Sequence, residues 1–193
     1  MAVQRCTGEV KDEDLAHVLR AAIDIVGTDA VVVIGSQAVL ATHRFDELPE
    51  DATFSVEADL AFFDDPQFDK ADMVDGAIGE SSQFHESFGY YGQGVSLDTA
   101  TLPSGWEDRL VPLEVHNGTA RCIDIHDCVI SKLVAGREKD FEFATALMRH
   151  ELVVVSTLVE RSTLLPRVHQ KSVLDRIERC ARRAGYGAGT PDE

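Results

Sequence analysis

Between Thr53 and Phe63 the chain alternates Phe54, Val56, Ala58, Leu60 and Phe62 against Ser55, Glu57, Asp59 and Ala61. A period of two marks a β-strand, whose successive side chains leave on opposite faces. Glu57 and Asp59 therefore point the same way. Two carboxylates so placed repel by several kcal/mol if they are buried without a cation, and a divalent metal is the natural resolution. A solvent-facing edge strand bearing two acids is the alternative. Asp65-Pro66 closes the strand, and Asp69 to Ile78 reads as an acidic helix.

The segment before this strand has its own order. Asp12 to Val26 carries apolar residues at Leu15, Val18, Leu19, Ala22, Ile23 and Val26, which is helical spacing, with Asp12 as N-cap and Gly27 as stop. Ala30 to Ile34 is a short apolar run rich in β-branched residues and reads as a buried strand. Gly35 breaks it, and Ser36 caps a second helix running to about His43. A glycine permits close backbone approach, and a helix start offers unpaired amides suited to a phosphate. Most such turns are simply capped helix starts, so Gly35-Ser36 gains meaning only from what accompanies it.

Beyond the acidic helix, Gly79 to Gly94 is rich in Gly, Ser and aromatics and gives no clear period. Gly94 to Ala100, Val111 to His116 and Thr119 to Ile123 read as strands, the last two joined by Asn117-Gly118, a strong hairpin signal. Asp98 on the first of these would bring a third carboxylate to Glu57 and Asp59, a set that suits Mg²⁺. From His126 the pattern is helical, over about 126–136, 138–150, 156–164 and 167–184. The expected architecture is an α/β unit over 1–124 followed by a helical part over 125–193, forming one two-lobed body.

Composition narrows the setting. The chain has 193 residues, 44% of them apolar, as expected of a folded enzyme-sized domain. It has no run of about 18 apolar residues, and Met1 to Lys11 lacks a secretion-signal pattern, so a cytoplasmic protein away from membranes is expected. Cys6, Cys122, Cys128 and Cys180 are scattered and read as reduced thiols, and the Cys122, His126, Cys128 grouping matches no common zinc spacing. A net charge of −16 argues against a nucleic-acid substrate until its distribution is considered. Residues 1–120 hold 6 Lys and Arg against 23 Asp and Glu, whereas residues 121–193 hold 12 against 11. Within that half, Lys132, Arg137 and Lys139 cluster beside Asp140 and suit a triphosphate, or form a solvated basic helix end. Arg161, Arg167, Lys171, Arg176, Arg179, Arg182 and Arg183 face only Asp175 and Glu178 over residues 161–183. Such a stretch suits a phosphate backbone, or a surface helix balancing an acidic body.

The order G-S-x-A, S-x-E-A-D-L, S-K-L-x-A-G-R-E-K-D, from about Val31 to Leu147, resembles the nucleotidyltransferase toxins of the AbiEii and MenT type, within the polymerase-β-like superfamily. The resemblance implies a mixed sheet flanked by helices with a helical C-terminal part. It implies that Gly35 and Ser36 contact nucleotide phosphates and that Glu57 and Asp59 bind Mg²⁺ (or Mn²⁺). Lys132 would hold the triphosphate or orient the acceptor, Arg137 would help to bind the nucleotide, and Asp140 would be an essential acid near acceptor or metal. Glu57 stands where the family usually has Asp, and Thr53 where many members carry a basic residue. The implied reaction is NMP transfer from an NTP to a tRNA 3′ end, blocking aminoacylation, under control of a cognate antitoxin; Arg176, Arg179, Arg182 and Arg183 would contact the RNA. Transfer to a protein or small-molecule hydroxyl, and a non-catalytic nucleotide-binding or partner-docking module, remain open. So do the choice of NTP, the choice between monomer and homodimer, and control through phosphorylation of Ser36.

Overall fold

The computed structural model describes residues 10–52 and 55–186. Cys6, together with Thr53 and Phe54 at the head of the expected acidic strand, lies outside the described residues. Five strands, β1 (Val31–Val33), β2 (Glu57–Phe62), β3 (Tyr91–Gly94), β4 (Val111–Val115) and β5 (Gly118–Cys122), make one mixed sheet in the order β3-β2-β1-β5-β4. β1 is antiparallel to β2 and parallel to β5, β3 is parallel to β2, and β4 and β5 form the expected hairpin. The central position of β1 explains its composition, since Val31, Val32 and Val33 are all fully buried. Among the described residues no helix is long and apolar enough to cross a membrane.

The first face of the sheet is covered by α1 (Asp12–Val26) and α2 (Asp69–Ile78). Leu15, Val18, Leu19, Ala22 and Ile23 of α1 form the buried stripe that the spacing predicts, and Gly27 ends the helix at φ 68°. The N-cap expectation is corrected: Lys11 occupies the cap position and its N–H donates to Asp14. Asp12 instead accepts the backbone N–H of Phe45, which ties the helix start to the loop before β2. On β3, a Cβ on Gly92 would lie 2.9 Å from Val18 and one on Gly94 would lie 2.1 Å from the Ala71 carbonyl. Both helices thus press on β3 where it has no side chains.

The strand expected over Gly94 to Ala100 is also corrected. β3 ends at Gly94, and Ser96 accepts the N–H of Asp98, folding Leu97–Thr99 into a 3-10 turn. The stretch 79–94 contains α3 (Gln83–Phe88), capped by Ser82 and closed by Gly89, and then β3.

The C-terminal helices α4 (Ile125–Ala135), α5 (Glu138–Arg149), α6 (Val155–Ser162) and α7 (Arg167–Ala184) follow the predicted pattern closely. α4 carries the fully buried Asp127, which accepts from Arg109 Nε at 2.8 Å and from Arg161 Nη1 at 3.1 Å. Asp124, the N-cap of α4, also pairs with Arg161 and accepts the N–H of His126. Burial alone would raise the Asp124 carboxyl, but hydrogen bonds from His126 and the charge of Arg161 outweigh it and hold the group well below the ordinary range. One arginine of α6 therefore locks the start of α4. His126 has both nitrogens engaged, Nδ1 with Asp124 and Nε2 accepting from Val154 N–H, while Cys122, Cys128 and Cys180 are free buried thiols.

Replacing Arg161 by Met keeps the apolar stem but leaves two part-buried or buried carboxylates short of a partner. We expect a loss of about 3 kcal/mol in urea unfolding, with little change in the denaturant slope.

Candidate active site

The site begins where β1 leaves the sheet. The Ile34 N–H donates to the Asp59 carbonyl at 3.1 Å, extending the antiparallel pairing past β1 and bringing Gly35 against the Asp59 side chain. A Cβ on Gly35 would lie 1.9 Å from Asp59 Oδ2. The glycine is required for space, since its φ of −91° is open to any residue. Ser36 then opens a six-residue 3-10 helix, Ser36–Ala41, with Gly35 in the cap position and no side-chain cap bond. That corrects the expected α-helix capped by Ser36. Gln37, which carries no signal in the sequence, is buried and donates to the Ser55 carbonyl at 3.1 Å, tying this turn to the approach of β2.

Glu57 and Asp59 both rise from the sheet face opposite α1 and α2, because Ala58 and Leu60 between and after them are buried on the other side. In register beside Glu57 on β3 stands Tyr91, whose hydroxyl donates to Glu57 Oε2 at 2.9 Å. Beside Asp59 stands Gln93, which turns away to donate to Asp75 of α2.

Across from this face lies the corner between α4 and α5. Gly136 makes the corner at φ 70°, and its N–H caps the Lys132 carbonyl. Lys132 and Arg137, which continuous helical spacing would separate, meet because of this break. Both turn to Asp140, which is fully buried: it accepts from Arg137 N–H at 3.0 Å, Nε at 2.8 Å and Nη2 at 3.1 Å, with Lys132 Nζ 3.9 Å away. Arg137 is raised above its ordinary value, first by the hydrogen bond to Asp140. The carboxylate of Asp140 is therefore occupied in holding two cations at the cleft wall, and it is a positioning group in this arrangement.

The two walls enclose an open cleft of about 500 Å³ lined by Gly35, Ser36, Glu57, Asp59, Lys132, Arg137, Lys139 and Asp140. A cleft of this size suits a nucleotide-sized ligand. Burial raises the Asp59 carboxyl above its ordinary value and the neighbouring Glu57 raises it further, while Lys132, Lys139 and Arg137 pull it down. Acid pair and basic triad thus face each other across one space. Asp98 is not part of it: exposed on its 3-10 turn, it lines a separate cleft with Phe62, Phe63 and Phe68.

The model of a family described as "Nucleotidyltransferase of unknown function (DUF6036)" matches residues 12–163. The chain belongs to this nucleotidyltransferase family. No curated protein and no solved structure matches it. The matched span of the nucleotidyltransferase contains the whole sheet and the α4–α5 corner, and so both walls of the cleft. α7 lies beyond it.

On α7 the predicted basic residues have different surroundings. The Arg176 guanidinium donates to the carbonyls of Leu133 and Val134 and so closes the C-terminus of α4. Arg179 lies over the Phe141 ring, 4.3 Å from its centroid. Arg182 and Arg183 are exposed, with Glu178 and Glu138 at 4.0 Å and 3.9 Å.

Glu57 and Asp59 are the residues that could hold a divalent cation in this nucleotidyltransferase. Among the described residues no three His, Cys, Asp or Glu gather as an all-protein cage. Mg²⁺ commonly takes one or two carboxylates plus substrate phosphates, so the pair fits that ion. Its own repulsion, partly withdrawn from water, is the physical reason to accept a cation there.

Because folding raises the Asp59 pKa, the folded protein holds that proton more tightly than the unfolded chain, and stability falls as pH rises through the folded pKa. Without divalent cations, Asp59→Asn should therefore melt above the wild type near neutral pH. The difference should shrink as pH is lowered toward the ordinary carboxyl range, followed by thermal unfolding across pH.

Proposed function

We propose that this nucleotidyltransferase moves a nucleoside monophosphate from an NTP to the 3′-terminal hydroxyl of a tRNA, and that it is the growth-inhibiting member of a toxin–antitoxin pair. The observation that carries the transferase chemistry is the convergence of Glu57 and Asp59 with Lys132, Arg137 and Lys139 in one cleft. The tRNA acceptor and the toxin role draw on the likeness of the G-S, E-A-D and K-L-V-A-G-R-E-K-D segments to the toxin enzymes. The basic exposed residues of α7 favour a polyanionic acceptor, and the acidic residues before 120 favour a basic partner such as an antitoxin.

In this reading Gly35 and Ser36 receive the nucleotide phosphates, and Lys132 and Arg137, steadied by Asp140, oppose the charge of the triphosphate. The acceptor oxygen bonds to the α-phosphorus as the bond to the β-phosphate oxygen breaks; pyrophosphate leaves with the electron pair, and the hydroxyl proton passes to solvent in the open cleft. Glu57 and Asp59 would hold Mg²⁺, which supplies a lowered hydroxyl pKa and neutralisation of the leaving group when bound. Most of the rate gain then comes from positioning and electrostatics.

Incubation with each of the four α-labelled NTPs, Mg²⁺ and total tRNA is the deciding experiment. We expect label at the tRNA 3′ end and a loss of about a hundredfold or more for Asp59→Ala. Label on protein or a small molecule would replace the acceptor, and no NTP consumption with any acceptor would remove the enzyme reading. Gly35→Ala should lose on the order of a hundredfold in the same assay, because the added methyl displaces the Asp59 carboxylate. Replacing Arg179, Arg182 and Arg183 together by Ala should weaken RNA binding and flatten its salt dependence by about 0.7–0.9 for each phosphate that is no longer neutralised.

A further inference from the structure

Glu57 is the longer of the two acids, and its extra methylene brings an additional rotatable bond. A carboxylate free to swing about that bond presents its oxygens to a cation for only part of the time, and ordering it costs binding free energy. The structure contains a device that removes this freedom. Tyr91 is the in-register neighbour of Glu57 on the parallel strand β3, and its hydroxyl donates to Glu57 Oε2 at 2.9 Å. The phenol is itself well held. Tyr91 is 6% exposed, its N–H donates to the Val56 carbonyl at 3.0 Å, and the His85 ring packs on it at 4.6 Å between centroids. His85 is anchored in turn by the Ser81 N–H on its Nδ1 and by the Ser82 cap of α3.

We propose that Tyr91 is a positioning residue for the metal-binding carboxylate. It engages Oε2 and leaves Oε1 available to a cation, so that a glutamate can serve at this position because a phenol on the next strand steadies it. Outer hydrogen bonds of this kind typically change metal affinity by about 10–100-fold. The inference rests on the reading of the cleft as a metal-dependent nucleotidyltransferase site.

The test uses Mn²⁺ alone, its binding to the nucleotide-free protein followed by electron paramagnetic resonance of the free ion. Tyr91→Phe keeps the buried ring and removes only the hydroxyl, and we expect it to weaken Mn²⁺ binding about tenfold. Glu57→Asp, although it supplies a shorter and more common ligand, should also bind more weakly than the wild type, because its carboxylate withdraws from the phenol. In the Glu57→Asp background, Tyr91→Phe should add less than about twofold, since the bond it removes is already broken. A purely structural role for Tyr91 would cost the same in both backgrounds. Binding unchanged by Tyr91→Phe, an equal loss in both backgrounds, or a Glu57→Asp protein that binds as tightly as the wild type would each overturn the proposal. Asp59→Ala separates the two levels. If it abolishes binding while Tyr91→Phe does not weaken it, only the role of Tyr91 fails; if wild type and Asp59→Ala bind alike, the cleft is not the metal site and both readings fall.

Discussion

The close approach of Gly35 to the Asp59 carboxylate is the constraint from which the cleft is built. β1 and β2 pair antiparallel, and the extra bond from Ile34 to the Asp59 carbonyl carries that pairing to the point where a side chain at residue 35 has no room. The Gly35 carbonyl also receives the Cys128 thiol at 3.5 Å. That bond sets α4 on the same turn. Cys128 and Lys132 are four residues apart and lie on one face of the helix, so docking the thiol at Gly35 directs the lysine toward Asp59. A single close approach of backbone to carboxylate thus orients the acid on β2 and the cation on α4 toward each other.

The electrostatics follow from keeping those charges apart. Arg137 and Lys132 have a buried partner in Asp140, which lies beneath them and has no exposure of its own. Held from below, the two cations remain at the cleft wall instead of collapsing onto Glu57 and Asp59 and neutralising the pair. The acids in turn stay uncompensated enough that burial and mutual repulsion raise Asp59. This separation of opposite charges across an open space is costly in an empty protein and favourable once a cation and an anion enter together. On the proposed reading, a chain with a net charge of −16 can still take a polyanionic substrate, because the cations that matter are few and held in place.

Elements whose signal is local are legible in the sequence. The period of two in β2, the apolar stripe of α1, the Asn117-Gly118 hairpin and the four C-terminal helices all appear as expected, and so does the nucleotidyltransferase character of the family. What escapes depends on partners distant in sequence. β3 shows no alternation because Gly92 and Gly94 are forced by Val18 and Ala71, residues invisible to a short window. Strand order alone would set Asp98 beside the two acids, yet the Ser96 hydroxyl turns the chain into a 3-10 bend first. Tyr91 belongs to the stretch without a readable period, so its bond to Glu57 has no signal in the sequence. The buried network of Arg109, Asp127 and Arg161 joins residues 18 and 34 positions apart, and no spacing rule connects them.

The basic helix α7 shows why counting charges overstates what is free to bind. Arg161, just before it, is spent on Asp124 and Asp127, and Arg176 closes α4 through two carbonyls. Gly136 is where that closure meets the cleft: a Cβ there would lie 2.6 Å from Arg176, and the next residue is Arg137. The α4–α5 corner is thereby clamped from the α7 side by Arg176 and from the cleft side by the Arg137–Asp140 pair. The exposed cations of α7, namely Arg167, Lys171, Arg179, Arg182 and Arg183, belong to the same helix as that clamp. On the proposed reading, charge on α7 and charge in the cleft are mechanically joined at Gly136. A polyanion engaging the helix would act on the segment that positions Lys132 and Arg137, which makes the C-terminal helices part of the site itself.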